Sequence, residues 1–364
     1  MSTIVTILGA RPQFIKASVV SKALAQLRGD AFETVVHTGQ HYDAGMSDVF
    51  FSELGMRPPK HHLGIHGGSH GAMTGRMLEG IEKILVDEKP AAVLIYGDTN
   101  STLAGALAAA KLHIPIAHVE AGLRSFNMRM PEEINRIVAD RLSRWLFTPT
   151  EAADVNLRRE GVAADAIIRT GDVMFDVARE HGKRPAGPDG VLARLKLQGA
   201  PYILVTVHRA ENTDDPARLK VIVEALLRLA DRLPLVWPLH PRTRGVLAGS
   251  GDLDRLAARV HLIEPVGYFE MVQLEKNAAA IATDSGGVQK EAFFHGVPCV
   301  TLRDETEWTE LIEAGWNRLA PPVSVDAVVA AVGAAVGSHG ADIRPYGDGN
   351  AAQTIVGLLS RAVG

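Results

Sequence analysis

Short apolar runs alternate with amphipathic stretches along the whole of this 364-residue chain. Runs at 3–8, 33–37, 91–96, 114–119, 144–148 and 166–170 have the length of buried strands, and a second series follows at 202–207, 234–239, 260–263, 279–283 and 298–302. Between them, 15–27, 72–87, 131–146, 216–232 and 324–336 carry the apolar spacing of helices that bury one face. Strands alternating with helices predict parallel sheets covered on both faces, so the fold class is α/β. The alternation lapses at 182–190, Gly-Lys-Arg-Pro-Ala-Gly-Pro-Asp-Gly, which predicts a linker near 175–195. Each half then has enough βα units for its own doubly wound sheet. The length agrees, since one core rarely serves 364 residues.

Composition narrows the function. Hydrophobic residues at 46% and charged residues at 22% are ordinary for a soluble globular protein. A net charge of −4, with the basic residues scattered, argues against a nucleic-acid partner. The single cysteine, Cys299, lies in the apolar run Val297-Pro298-Cys299-Val300 and reads as a buried small hydrophobe in a reducing, cytoplasmic compartment. Thr3 to Leu8 lacks a basic leader and a cleavage site, so it reads as a first strand, not a signal peptide. The alanine-rich stretch 103–110 is too short to span a membrane.

In doubly wound sheets ligands bind beyond the carboxyl ends of the strands, and the chemistry is expected there. At 279–287 an apolar strand runs into Thr283-Asp284, and Ser285-Gly286-Gly287 opens a helix. Free backbone N–H groups and the helix dipole suit a phosphate, although a plain Ser/Gly helix start has the same sequence. Glu291 follows within reach of ribose hydroxyls. No Walker A motif and no complete Gly-x-Gly-x-x-Gly occurs, which argues against ATPase and dinucleotide readings. Asp98 and Glu120 each end a predicted strand, as catalytic acids or as helix caps. Pro131-Glu132-Glu133 starts a helix, and one of the two glutamates is expected merely to complement its dipole. Carboxylates held near one another can divide acid and base roles. Arg11 and Lys16 flank the first strand-to-helix loop and suit a diphosphate or a carboxylate. His208, Arg209 and His240 follow strands of the second half. The run His61-His62-Leu63-Gly64-Ile65-His66-Gly67-Gly68-Ser69-His70 reads as a mobile substrate loop, not a metal site, because Gly67 and Gly68 interrupt any helix face.

Taken in order, Gly9-x-Arg11-Pro12-x-x-x-Lys16, Thr38-Gly39-Gln40-His41, Gly97-Asp98-Thr99, His118-Val119-Glu120-Ala121-Gly122-Leu123-Arg124, Pro131-Glu132-Glu133-x-Asn135-Arg136, His208-Arg209-x-Glu211 and Asp284-Ser285-Gly286-Gly287 resemble the non-hydrolysing UDP-N-acetylglucosamine 2-epimerases. The resemblance runs from residue 3 to Tyr346-Gly347-Asp348-Gly349. It implies a GT-B fold of two Rossmann-like domains with the active site in a cleft between them. The domains would be 1–178, holding the sugar and the catalytic acids, and 190–346, binding UDP, with a C-terminal helix of about 347–364 packing back on the first. It further implies a UDP-sugar as substrate, no metal or other cofactor, and a homodimer. The hydrogen on carbon 2 of the sugar is not acidic, so the family eliminates UDP to a 2-acetamidoglucal and adds it back on the other face. By resemblance, Asp98, Glu120 and Glu132 handle the protons and His208 assists the leaving phosphate. Arg11, Arg209 and Ser285 to Gly287 would hold the diphosphate and Glu291 the ribose, with Lys16, Arg136 and His240 completing substrate binding.

Some positions depart from the commonest pattern. Gln13 replaces a frequent glutamate, Trp308 interrupts Thr306-Glu307-x-x-Glu310, and Gly171-Asp172-Val173 replaces Gly-Asn-Thr. These variants resemble the branch acting on UDP-2,3-diacetamido-2,3-dideoxy-glucuronate, used for bacterial surface polysaccharides, and the loss of an acid at 13 is compatible with an anionic sugar. Gln40-His41-Tyr42-Asp43 departs from the turn that binds an allosteric UDP-N-acetylglucosamine. A GT-B glycosyltransferase with a UDP-sugar donor is the alternative; it needs no proton traffic at carbon 2, so the three acids favour the epimerase.

Overall fold

The computed structural model describes residues 3–40, 48–183 and 187–363, the side chains of 48–50 excepted. His41 and Asp43, of the expected allosteric turn, and residues 184–186 of the expected linker lie outside the described residues. The chain divides into two compact units: Met1–Val177 with Arg344–Gly364, and Ala178–Ile343.

The first unit is built on seven parallel strands: β1 (Ile4–Leu8), β2 (Glu33–His37), β3 (His61–His62), β4 (Ala92–Tyr96), β5 (Ile116–Val119), β6 (Trp145–Thr148) and β7 (Ile167–Arg169). Their order is β3-β2-β1-β4-β5-β6-β7. Every residue of β1 and β4 is buried, as expected of strands covered on both faces. The helix Asn100–Lys111 lies close on this sheet because its inner face is small: Ala104, Ala106, Ala108 and Ala109 are fully buried. The final helix, Ala351–Ala362, packs against Arg11–Arg28 in the same unit, burying Ile355, Val356 and Leu359. Asp176 caps it, accepting from the backbone N–H of Ala351 at 3.2 Å and of Ala352 at 2.7 Å.

The second unit has six parallel strands: β8 (Ile203–Thr206), β9 (Leu235–Pro238), β10 (His261–Ile263), β11 (Ala280–Thr283), β12 (Cys299–Thr301) and β13 (Asn317–Leu319). The order is β10-β9-β8-β11-β12-β13. Val205, Ile222, Leu226 and Trp237 form part of one core layer. Cys299 is buried in β12, and burial pushes its thiol up. In both units the order reverses beside the first strand, between β1 and β4 and between β8 and β11. Such a switch point leaves a crevice at the strands' carboxyl ends.

Three elements differ from expectation. The helix expected over 131–146 ends at Leu142: Ser143 turns extended and its hydroxyl donates to the Ala139 carbonyl at 2.7 Å, which frees 145–148 to form β6. The histidine run is not one mobile loop. His61 and His62 form edge strand β3, and Ser69 caps the helix His70–Glu88 through the Ala72 N–H at 3.3 Å. β13 has no apolar run of its own; its backbone pairs with β12 from Cys299↔Asn317 to Thr301↔Leu319. No described helix is long and apolar enough to cross a membrane.

Candidate active site

In the first unit the carboxyl ends of β1, β4 and β5 bring four of the expected residues together. Lys16, on the second turn of helix Arg11–Arg28, forms an ion pair with Glu120 just beyond β5, and both side chains are largely shielded. Glu120 itself has φ +71°, a backbone state that few side chains adopt and that costs about 1–3 kcal/mol. It is held there by its own N–H and that of Ala121, both donating to the Phe147 carbonyl at 3.1 Å. Gly97, at φ +60°, makes the turn after β4; a Cβ there would stand 3.3 Å from Glu120 Oε2. Asp98 follows and pairs with Arg136. Asn135 Nδ2 donates to the Asp98 carbonyl at 2.9 Å, so the helix Pro131–Leu142 grips the acid from two successive positions. Arg11 opens its helix, half-exposed.

The structure separates the two glutamates of the helix start. Glu133 is buried and accepts from the N–H groups of Ser125 (2.9 Å) and Phe126 (2.8 Å), and Arg136 reaches it at 3.1 Å. Its carboxylate therefore holds the preceding loop as well as the dipole. Glu132 is exposed on the same turn.

Beneath these acids lies a buried relay. His118, in β5, bridges the Gly97 carbonyl through Nε2 (2.7 Å) and Asp140 through Nδ1 (2.7 Å). Asp140 also accepts from Arg124 Nη1 at 2.7 Å and the Gly122 N–H at 3.1 Å. Burial alone would raise its carboxyl, but His118 and Arg124 outweigh that and hold it below the usual range. Arg124 continues to Glu160 through two bonds of 2.7 Å.

In the second unit, fully buried Asp284 organises the loop after β8. Its carboxylate accepts from the N–H groups of His208 (3.1 Å) and Arg209 (3.0 Å) and from Asn212 Nδ2 (3.1 Å). The His208 ring stays accessible, with Nδ1 3.4 Å from Asp284 Oδ1 and its centroid 6.4 Å from that of His240. His240 caps the helix Pro241–Ser250, accepting from the Arg242 N–H at 3.2 Å. Ser285 precedes the helix Gly286–Phe294 without a side-chain cap, so that helix start keeps backbone N–H groups for an anion. A Cβ on Gly286 would stand 2.2 Å from Glu307 Oε1, so a side chain there would push the Glu307 carboxylate aside. Trp308 Nε1 donates to the Gly286 carbonyl at 2.9 Å, and Lys290 Nζ lies 4.6 Å over its ring. Glu291 is half-buried on the second turn.

Several structural contributors escaped sequence reasoning. Gln13 is 2% exposed: its Oε1 accepts from the N–H groups of Gly9 (2.8 Å) and Ala10 (3.0 Å), and its Nε2 donates to the Tyr96 carbonyl (2.7 Å). It staples β1 to β4 across the switch point, and all its polar atoms are engaged inside the unit. Asp140 and Asn212 gave no local signal, since each works through partners distant in sequence. Asp284 stands out in the sequence as the acid ending a buried strand, and its hold on the His208–Asn212 loop is what the structure adds. Among the described residues no three His, Cys, Asp or Glu side chains form a metal-holding group.

The sequence profile described as UDP-N-acetylglucosamine 2-epimerase matches residues 25–360. The chain is 53% identical over 364 residues to the UDP-2,3-diacetamido-2,3-dideoxy-D-glucuronate 2-epimerase of Pseudomonas aeruginosa, covering 98% of this chain and 99% of the relative. It is 43% identical over 360 residues to the UDP-N-acetylglucosamine 2-epimerase of Methanocaldococcus jannaschii, covering 97% and 98%. The crystal structure of the latter enzyme in complex with UDP-GlcNAc and UDP superposes with a TM-score of 0.83 at 42% identity, covering 99% of this chain and all of that one. The Neisseria meningitidis UDP-GlcNAc 2-epimerase bound to UDP-GlcNAc gives 0.80 at 30% identity, covering 99% and 100%. The two doubly wound sheets are thus those of a GT-B fold. The chain belongs to the UDP-N-acetylglucosamine 2-epimerase family and is an epimerase.

Proposed function

We propose that this epimerase inverts carbon 2 of UDP-2,3-diacetamido-2,3-dideoxy-D-glucuronate, a precursor for bacterial surface polysaccharide. The observation that carries the choice of sugar is the 53% identity, over essentially both whole chains, with the P. aeruginosa enzyme of that name, against 43% with the M. jannaschii UDP-N-acetylglucosamine enzyme. UDP-N-acetylglucosamine is the second reading.

The reaction proceeds by elimination and re-addition. A base takes the C2 proton while the C1–O bond breaks and UDP leaves, giving a 2-acetamidoglucal. UDP then re-forms the C1–O bond as a proton reaches C2 from the other face. Proton transfers of this kind need groups positioned at the reacting carbon. Asp98, Glu120 and Glu132 take that role; the first two stand at neighbouring strand ends with Arg136 and Lys16 as orienting partners. The helix start at Ser285 to Gly287 holds the diphosphate, through the N–H groups of Gly286 and Gly287 because that of Ser285 is already given to Thr283 Oγ1 at 2.9 Å; Arg11 and Arg209 add their charge to the diphosphate, His208 assists the leaving phosphate, and Glu291 holds the ribose. Lys16, Arg136 and His240 complete the contacts. No metal or redox cofactor takes part. The assembly is a homodimer in the cytoplasm, which sedimentation velocity tests directly.

Incubation of the enzyme with each UDP-sugar in D2O tests the reading. Deuterium at C2, with faster turnover of the diacetamido-glucuronate, is expected. Exchange with UDP-N-acetylglucosamine alone would reverse the choice of sugar. Transfer to an acceptor without C2 exchange would instead indicate a glycosyltransferase.

A further inference from the structure

The second unit buries another carboxyl beside Glu291. Glu275 lies near the end of the helix Tyr268–Lys276 and is 0% exposed. Among the described residues, no N–H or O–H group reaches either of its carboxyl oxygens. Around it stand the Glu291 carboxyl, from the helix Gly286–Phe294, the Cys299 thiol, the Tyr202 hydroxyl, which donates instead to the Leu274 carbonyl at 2.6 Å, and the His295 ring, whose Nε2 stands 3.8 Å from Oε2, too far for a hydrogen bond. Two ionised carboxylates do not settle side by side where one of them is wholly cut off from solvent. One proton between them converts the repulsion into an O–H···O⁻ bond, which is short and strong. The wholly buried member keeps that proton: burial, and then the adjoining Glu291, push the Glu275 carboxyl well above the usual range. His295 supplies no compensating charge at neutral pH, because burial, and then Lys276, lower its ring to about 4. The Lys276 ammonium is turned to the Gly182 carbonyl.

We infer that Glu275, as a neutral carboxylic acid, is a positioning residue for nucleotide recognition: its O–H bonds the Glu291 carboxylate and fixes which lone pairs that carboxylate presents to the ligand. The inference rests on the reading that Glu291 holds the ribose. The O–H narrows the rotation of the Glu291 carboxylate about its last bond. With the acid behind it, the acceptor geometry exists before the ligand arrives, which is where preorganisation gains affinity.

The test is calorimetric binding of UDP and of 2′,3′-dideoxy-UDP to the full-length protein. The wild type is expected to favour UDP by about tenfold or more, the worth of a charge-assisted hydrogen bond. Glu275→Met, apolar and of similar length, should lose most of that preference by weakening UDP and leaving the dideoxy nucleotide unaffected; KM for the UDP-sugar should rise about tenfold and kcat change much less. Glu275→Gln, whose amide still donates, should recover most of the loss. A preference retained in Glu275→Met overturns the inference, and so does a Glu275→Gln protein no better than Glu275→Met. If Glu275→Met does not fold, Glu275→Gln alone decides: a preference reduced to the level of Glu291→Ala overturns it, and one near the wild type upholds it. A Glu291→Ala protein that keeps the full preference refutes the Glu291 reading separately.

Discussion

Asp140→Asn removes one negative charge from the centre of the first unit while keeping the side chain's shape. Three donors converge on that carboxylate, from His118, Arg124 and Gly122, and all three side chains of the relay are 1% exposed or less. The amide of asparagine offers one acceptor oxygen and turns an NH2 group toward a donor. Breaking a buried ion pair from one side costs about 3–5 kcal/mol, because the partner's charge stays buried. Arg124 keeps Glu160, which places the expected loss near the lower end, about 3 kcal/mol. That is a large share of the roughly 5–15 kcal/mol that holds a domain folded. Urea-dependent hydrogen exchange, read on peptides from 92–148, reports the loss where it occurs. Because His118 also holds the Gly97 carbonyl, kcat/KM should fall through displacement of Asp98. The double variant with Arg124→Met should lose less than the sum of the singles, by roughly 1 kcal/mol or more. A single-variant loss below about 1 kcal/mol, or additive singles, would refute the convergence argued from the distances.

Asp98→Asn should lower kcat for C2 exchange by about 10²–10⁴-fold with UDP affinity within a few-fold, measured by deuterium uptake and calorimetry. Loss of affinity with exchange intact would move Asp98 out of the proton path. Gln13→Glu should leave the choice between the two UDP-sugars unchanged while costing about 1–3 kcal/mol, because a carboxylate cannot donate to the Tyr96 carbonyl; switched selectivity in a competition assay would show that position 13 meets the sugar. The His37 ring, buried and 2.5 Å from His62, is lowered to about 4 by burial and then by His62. The unfolded chain binds that proton below about pH 6.5 and the folded chain does not, so this contribution is complete above pH 6.5 and is lost as pH falls toward 4. The loss approaches about 3 kcal/mol, and His37→Gln should flatten this acid limb in melts between pH 7 and 4.5.

What was legible in the chain follows from the range of each interaction. β1, β4, β8 and β11 announce themselves because both faces are buried and the apolar run is local. β3 and β13 are two and three residues long at sheet edges, where partner strands decide the conformation. The strand-end rule led to Asp98 and Glu120, but nothing near either announces Arg136 or Lys16, which lie 38 and 104 residues away. Glu132 and Glu133 look alike in sequence; only the fold back of Ser125 and Phe126 onto one of them tells them apart. Nothing in the sequence around Glu275 singles it out, and it is completely enclosed.

The capping of Ala351–Ala362 by Asp176 bears on how the protein is made. The first unit includes Arg344–Gly364, and the whole of Ala178–Ile343 is synthesised before that segment. At 5–20 residues per second that interval is roughly 10–30 s. Throughout it, the outer face of Arg11–Arg28 lacks its cover and Asp176 lacks the N–H groups it binds. The nascent first unit therefore waits, open along one helix, until Ala351–Ala362 has been made. Its closure is timed by the synthesis of the second unit, whose residues come between the two parts of the first.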